Sequence, residues 1–389
     1  MGGCNNCQFR YAKTSPGEQL KILLLSNPDS SHTLKWARSL ALSGQEIVVF
    51  GLNKYAYETY ATFKNIKVVS IDLDTSTTYS DEGNKRKLVY LKALPLLKQV
   101  IKAFSPDIVH AHYATSYGLL GALCGFRPYL LSVWGSDVFS FPNLSFLHRW
   151  LVRFNLSRAD KVLSTSHVMA LETNKYTAKP IEVTPFGIDL SVFKPETVVS
   201  PFAPEDIVIG TIKTLEEKYG IEYLILAFHQ VRCRHPELPL KLLIVGGGSL
   251  EQNLKTLTRE LKLDDCTTFT GRVPFDDIQK YHNMLSVSVF VSVCSESFGV
   301  AVLESSGCEK PVVVSNMGGL PEVVENNVTG IVVPPRDVAA TANAIERLVL
   351  DAELRSLMGR AGRARVQRLY DWNANVTQMI NIYETILRK

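Results

Sequence analysis

Apolar residues gather along this chain in short runs of strand length, and between the runs their spacing widens to the three-and-four rhythm of amphipathic helices. The runs at 21–27, 46–51, 66–72, 107–113, 129–135, 161–166 and 181–185 predict strands. Between them, 32–43 sets Leu34, Ala37, Leu40 and Ala41 on one helical face, and 84–104 carries a second helical pattern. Strands that are apolar throughout and alternate with helices predict a parallel sheet covered on both faces. The pattern then restarts. Strands are predicted at 207–210, 240–245, 267–271, 287–293, 311–315 and 331–333, with helices at 223–234, 250–261, 299–307 and 338–350.

Between the two series, 189–204 holds Pro195, Pro201 and Pro204 without periodicity and reads as a hinge. The expected fold class is α/β, with two Rossmann-like doubly wound parallel-sheet domains facing across a cleft and ligands at the carboxyl ends of the strands. The expected divisions are a flexible N-terminal segment at 1–20, a first domain at 21–192 and a second at 193–372, with a C-terminal helix over 373–389 completing the first. A two-domain clamp of this outline suits an enzyme joining two substrates, and periplasmic-type binding proteins share it. The first 20 residues are polar and Gly-rich, without the apolar segment of a signal peptide, which speaks for the enzyme.

Composition narrows the class. No apolar run approaches the ~20 residues of a membrane span. The cysteines at 4, 7, 124, 233, 266, 294 and 308 are odd in number and scattered, which fits reduced thiols in a cytoplasmic protein. Cys4 and Cys7 are a close pair without a second pair to complete a metal or redox motif, and Asn6 leaves the Met-Gly start short of a myristoylation signal. The net charge of +4 divides unevenly: residues 1–195 hold 22 Lys and Arg against 14 Asp and Glu, or +8, and the remainder holds 20 against 24, or −4. Different partners for the two halves follow.

The most informative stretch is Cys294-Ser295-Glu296-Ser297-Phe298-Gly299-Val300-Ala301-Val302-Leu303-Glu304, after a predicted strand. With a helix opening at Gly299, the unpaired N–H groups of its first turn form a seat for a phosphate. Glu296 then lies just before the helix and Glu304 inside it. Either the two acids grip two ends of one extended ligand, or Glu296 only favours the helix dipole and Glu304 is solvated. Lys213 and Lys218 follow the first strand of the second series, spaced either to neutralise a diphosphate or as an ordinary surface pair. Gly246-Gly247-Gly248 permits close backbone approach without the Gly-x-Gly-x-x-Gly spacing of a dinucleotide site. His110 and His112 share one side of a strand, and no third ligand has metal-site spacing. Asp72 and Asp74 suit a turn better than a metal-diphosphate site.

In order along the chain, these pieces resemble the family 4 (group 1) glycosyltransferases, retaining enzymes of GT-B architecture. The resemblance covers almost all of residues 20–389. It is carried by Pro106-Asp107-Ile108-Val109-His110-Ala111-His112, Trp134-Gly135-Ser136-Asp137, the stretch from Ala159 to Ser166 and Pro185-Phe186-Gly187-Ile188-Asp189. The second half adds Val245-Gly246-Gly247-Gly248, Phe269-Thr270-Gly271-Arg272-Val273, Glu296 to Glu304, Pro311 to Ser315, Gly318-Gly319-Leu320-Pro321-Glu322-Val323-Val324 and Thr329-Gly330. The resemblance implies that Glu296 contacts hydroxyls of a donor sugar, that Phe298, Gly299 and Val300 offer backbone N–H groups, and that Glu304 holds a ribose. It implies Lys213 and Lys218 on the diphosphate, His112 on the sugar, and Gly246, Arg272 and Val273 beside the nucleotide. Ser31, His32 and Asp137 fall on the acceptor side. No metal is implied at the diphosphate. Three departures stand out: Asn27-Pro28-Asp29-Ser30-Ser31-His32 replaces the usual Gly-rich loop, Phe186 replaces an Asn, and Lys213 replaces an Arg and so lacks its bidentate fork.

The expected activity is transfer of a sugar, with retention, from a nucleoside diphosphate donor to a hydroxyl acceptor. Neither a cofactor nor a nucleic-acid partner is expected. A glycosyl phosphorylase or sugar-nucleotide epimerase of the same architecture, a dinucleotide oxidoreductase and a non-catalytic sugar-nucleotide sensor are the alternatives. Within 139–154, aromatic and basic residues form either an interfacial helix or a core helix with a basic outer face. The first of these fits a glycan or polyprenyl-linked acceptor in surface polysaccharide assembly, with peripheral contact at the inner face of an anionic membrane.

Overall fold

The computed structural model describes residues 19–55, 58–71, 73 and 90–388. Two parallel sheets lie in separate units: one unit runs through Thr184 and takes in the chain from Val376, and the other is Pro185–Asn375. The first sheet comprises β1 (Lys21–Leu25), β2 (Glu46–Gly51), β3 (Ile66–Ser70), β4 (Ile108–His112), β5 (Tyr129–Val133), β6 (Lys161–Ser164) and β7 (Ile181–Val183), in the order β3-β2-β1-β4-β5-β6-β7. The second comprises β8 (Ile207–Ile212), β9 (Leu240–Val245), β10 (Thr267–Phe269), β11 (Val287–Phe290), β12 (Val312–Ser315) and β13 (Gly330–Val333), in the order β10-β9-β8-β11-β12-β13. Each sheet winds outward from its first strand and then reverses. The reversals, between β1 and β4 and between β8 and β11, open crevices at the strands' carboxyl ends.

Both cores follow from strands buried on two faces. In the second unit, Leu224 and Phe228 of the helix Ile221–Arg234 and Ile345 and Leu348 of the helix Val338–Leu350 are wholly buried against the sheet. Each such side chain contributes about 1.5–3 kcal/mol. In the first unit, Leu97 of the helix Leu94–Phe104 is wholly buried in one cluster with Phe50 of β2 and Tyr129 and Leu131 of β5.

Differences from the predicted elements have local causes. β11 stops at Phe290, and beyond it the Val293 N–H donates to the Lys218 carbonyl (2.9 Å) instead of continuing the ladder. The helix predicted over 84–104 is described as Leu94–Phe104, with Pro95 in its first turn, where a missing N–H costs nothing; 84–89 lie outside the described residues. The helix Ser116–Leu123 was not predicted, because it is buried nearly all round and carries Gly118 and Gly121. The chain divides at Pro185 rather than near 193. Ile188 exchanges backbone bonds with Tyr370 and Trp372 (3.0 Å each), which ties this segment to the second unit. The final helix, Trp372–Leu387, starts in the second unit and continues in the first, where Gln378 donates to the Val183 carbonyl (3.1 Å).

Candidate functional site

At the reversal of the second sheet, β8 ends directly before Lys213 and β11 leads to Glu296. The Lys213 ammonium donates to one Glu296 carboxylate oxygen (2.9 Å), and the Ser292 hydroxyl donates to the other. Side-chain exposures of 18% and 13% make this a partly buried pair, shielded from bulk water yet open on one side. Lys213 Nζ also lies 4.4 Å from the Tyr219 ring centre, and Lys218 Nζ lies 4.9 Å from the same ring. One aromatic ring therefore gathers both lysines, a role that sequence reading missed although Tyr219 adjoins Lys218.

The backbone around Glu296 is held by a glycine turn. The Gly319 N–H donates to the Glu296 carbonyl (2.8 Å), and Gly318 has φ +55°, with a Cβ there colliding with the Glu296 backbone. The helix Val300–Gly307 then begins with Gly299 at its N-cap. Among the described residues no acceptor meets the N–H groups of Gly299, Val300 or Ala301, which leaves them for an anion. Phe298 contributes backbone only, since its ring is buried against Phe186 and Tyr370.

Glu304 lies in the same helix, nearly buried, with a carboxylate oxygen 3.4 Å from His282 Nε2. The other His282 nitrogen meets the Ser305 hydroxyl at 2.8 Å, so this wholly buried histidine braces the acid. No spacing in the sequence pointed to it. After β9, the Gly246 N–H donates to the Gly271 carbonyl (3.0 Å), and a Cβ on Gly246 would collide with the Lys213 carbonyl. The loop is tied down by Glu216, which accepts from the Ser249 N–H (3.0 Å) and hydroxyl (2.6 Å). Those bonds hold the Glu216 carboxyl below its usual range, helped by the charges of Lys218 and Arg272. Arg272 is exposed beside Gly247, and Val273 packs on the small cluster around Val208 and Val245.

At the reversal of the first sheet, His112 ends β4 and Ser26 follows β1. His112 Nδ1 meets the Ser26 hydroxyl (3.1 Å), which meets Thr33 (2.6 Å), and the ring stacks on Trp134 at 4.4 Å. His32 packs edge-on to the same Trp134, and Ser31 opens the helix Ser31–Leu42 that carries Thr33. Behind His112, His110 spends both ring nitrogens on hydroxyls, Tyr383 at 2.7 Å and Ser132 at 2.8 Å. Burial pushes the His110 pKa down to about 3 and lowers that of His112 in the same direction, so both rings are neutral near pH 7. Asp137, expected on the acceptor side, is wholly buried and accepts from the backbone N–H groups of Ala114 (2.7 Å), Gly135 (2.7 Å) and Trp134 (3.2 Å). It holds the turn that carries Trp134. Burial raises its pKa, against the opposing pull of those N–H groups. Cys4, Cys7, Asp72 and Asp74 lie outside the described residues.

Two family models match this chain: one described as glycosyl transferase 4-like over residues 21–166, and one described as glycosyl transferases group 1 over residues 193–365. A GDP-mannose-dependent alpha-(1-6)-phosphatidylinositol monomannoside mannosyltransferase of Mycobacterium tuberculosis is 31% identical over 210 residues, covering 50% of this chain and 54% of that protein. The chain spans about half the length of the first curated relatives it matches. Among solved structures, sucrose-phosphate synthase of Thermosynechococcus elongatus superposes with a TM-score of 0.75 at 23% identity, covering 94% of this chain and 99% of that one. HepE of Anabaena, in complex with UDP, gives 0.76 at 19% identity over 94% and 100%. At such identities the likeness is one of fold, the two-sheet GT-B architecture.

Proposed function

The chain belongs to the group 1 (family 4) glycosyltransferases, and from that premise we propose that it transfers a sugar from a nucleoside diphosphate donor to a hydroxyl acceptor with retention of configuration. The observation that carries this reading is the Lys213–Glu296 pair beside the free first turn at Gly299. A diphosphate arriving at that turn competes with Glu296 for the Lys213 ammonium. It thereby releases the carboxylate to the sugar hydroxyls, so binding of the two donor ends is coupled. Lys218 and the N–H groups from Gly299 onward share the charge that builds on the departing diphosphate. Gly246, Arg272 and Val273 border the base, and Glu304 takes the ribose.

In the reaction, the bond from the anomeric carbon to the diphosphate oxygen breaks and the bond to the acceptor oxygen forms on the same face. The acceptor proton passes to the leaving diphosphate. Glu296 positions the donor and forms no covalent intermediate. Neutral His112, with Nδ1 held by Ser26, offers Nε2 to a sugar hydroxyl. The acceptor we infer is a lipid-linked glycan, an idea supported by the +8 balance of residues 1–195.

Glu296→Ala is expected to lower nucleoside diphosphate release at saturating donor by about a hundredfold, the scale of one lost transition-state contact. Undiminished turnover would overturn the role given to Glu296. A thermal-shift comparison of UDP-, GDP- and ADP-sugars identifies the donor class, because a ligand at 100 times its Kd adds about 2.7 kcal/mol to stability.

A further inference from the structure

We propose that the outer face of the helix Phe146–Arg158 is a docking surface for an anionic lipid bilayer, formed by an exposed aromatic ridge edged with arginines. Phe146 is 77% exposed, Leu147 70% and Trp150 55%, and Leu144 just before the helix is exposed as well. At 100° per residue, Phe146, Trp150, Arg153 and Ser157 share one stripe, with Leu147 and Phe154 on one flank and Arg149 on the other. The Trp150 and Phe154 rings stack at 5.5 Å with 12° between their planes, forming one flat apolar plate. The opposite face is already occupied: Val152, Asn155 and Leu156 are buried in the first unit. The aromatic residues are therefore not part of its core.

Charge identifies the occupant. No acidic residue lies between Asp137 and Asp160, so every charged side chain on the helix itself is positive, and the acids near it are engaged elsewhere, Glu172 with Tyr176 and Lys175 and Asp160 with Arg127. At the far end of the helix the Lys179 ammonium donates to the Ser157 carbonyl (2.6 Å), and burial together with the nearby charges of Arg127 and Arg158 lowers its pKa. Two copies of this face would set Arg149 and Arg153 against their own kind, whereas anionic headgroups complement them and leave Trp150 and Phe146 at the acyl boundary.

This surface deepens the lipid-linked acceptor reading and rests on it for its purpose. Asn155, on the buried face, donates to the carbonyls of Ala114 (2.9 Å) and Thr115 (3.2 Å), just beyond His112. A helix lying on a bilayer would thus hold the end of β4 roughly 10 Å, one helix diameter, from the lipid surface.

The test is co-sedimentation of the full chain with phosphatidylcholine vesicles, with and without phosphatidylglycerol. Binding is expected only with the anionic lipid and should weaken as salt rises. Arg149→Gln with Arg153→Gln should reduce partitioning about 25-fold, at about 1 kcal/mol per arginine. Phe146→Ser with Trp150→Ser should abolish it, and both pairs should leave the melting temperature and sugar-nucleotide binding unchanged. Failure of the wild-type chain to bind anionic vesicles at low salt would overturn the proposal. So would wild-type binding by the Phe146/Trp150 variant, or a concentration-dependent dimer lost in the same variants without vesicle binding. Loss of sugar-nucleotide binding by the wild type with vesicle binding intact would instead sink the transferase reading and leave the surface standing.

Discussion

His282 shows how a residue without any motif can decide the behaviour of one that has it. Its ring bridges Ser305 (2.8 Å) and Glu304 (3.4 Å), so Glu304 is aimed by a neighbour that need not touch a ligand itself. His282→Ala should therefore raise donor KM about tenfold, the worth of one hydrogen bond to a charged group, while kcat stays within roughly twofold. Steady-state kinetics with the donor varied separates the two; an unchanged KM would make His282 a packing residue only. The acids and lysines were legible because their chemistry is local: Lys213 and Lys218 fall within one loop, and Glu296 and Glu304 flank one helix start. The bracing residues were not. His282 meets Glu304 across 22 residues and Tyr383 meets His110 across 273, contacts set by how helices pack on one another and on the sheet rather than by spacing.

Among the elements, the turn at Gly318 and Gly319 does for Glu296 what His282 does for Glu304. An added Cβ at Gly318 meets the Glu296 backbone in a left-handed conformation that L residues resist. Gly318→Ala should cost about 2 kcal/mol and weaken donor binding as Glu296 shifts. Urea unfolding with and without nucleoside diphosphate measures both effects, and equal stability would show that the loop relaxes freely. Strands were readable in the sequence because both faces of a parallel sheet are buried, so their apolar runs are unbroken. Ser116–Leu123 escaped notice for the opposite reason. Being buried nearly all round it has no polar face to reveal a helical period, and Gly121, whose Cβ would strike the Tyr129 ring, resembles a breaker until the packing is known.

For the whole molecule, the buried histidines make stability depend on pH. The folded state keeps His110 neutral down to about pH 3, whereas the unfolded chain takes up a proton near 6.5. Between those values the unfolded state binds more protons, so stability falls as pH drops through that window and is fully retained above it. His110 alone should cost about 2 kcal/mol between pH 7.5 and pH 5, with His112 adding in the same direction. Denaturant unfolding at the two pH values measures the loss, and His110→Gln should remove its share. Tyr383, which His110 contacts, belongs to the last helix, beyond the point where the chain has returned from the second unit. In genetic terms, the second unit is an insert rather than a tail. A single recombination between two related genes would join His110 of one parent to the Tyr383 region of the other. A double exchange, at 184/185 and 375/376, moves the insert as a cassette and leaves both ends of the first unit with one lineage. Variation in what the second unit binds can then spread among relatives without disturbing the contacts of the first.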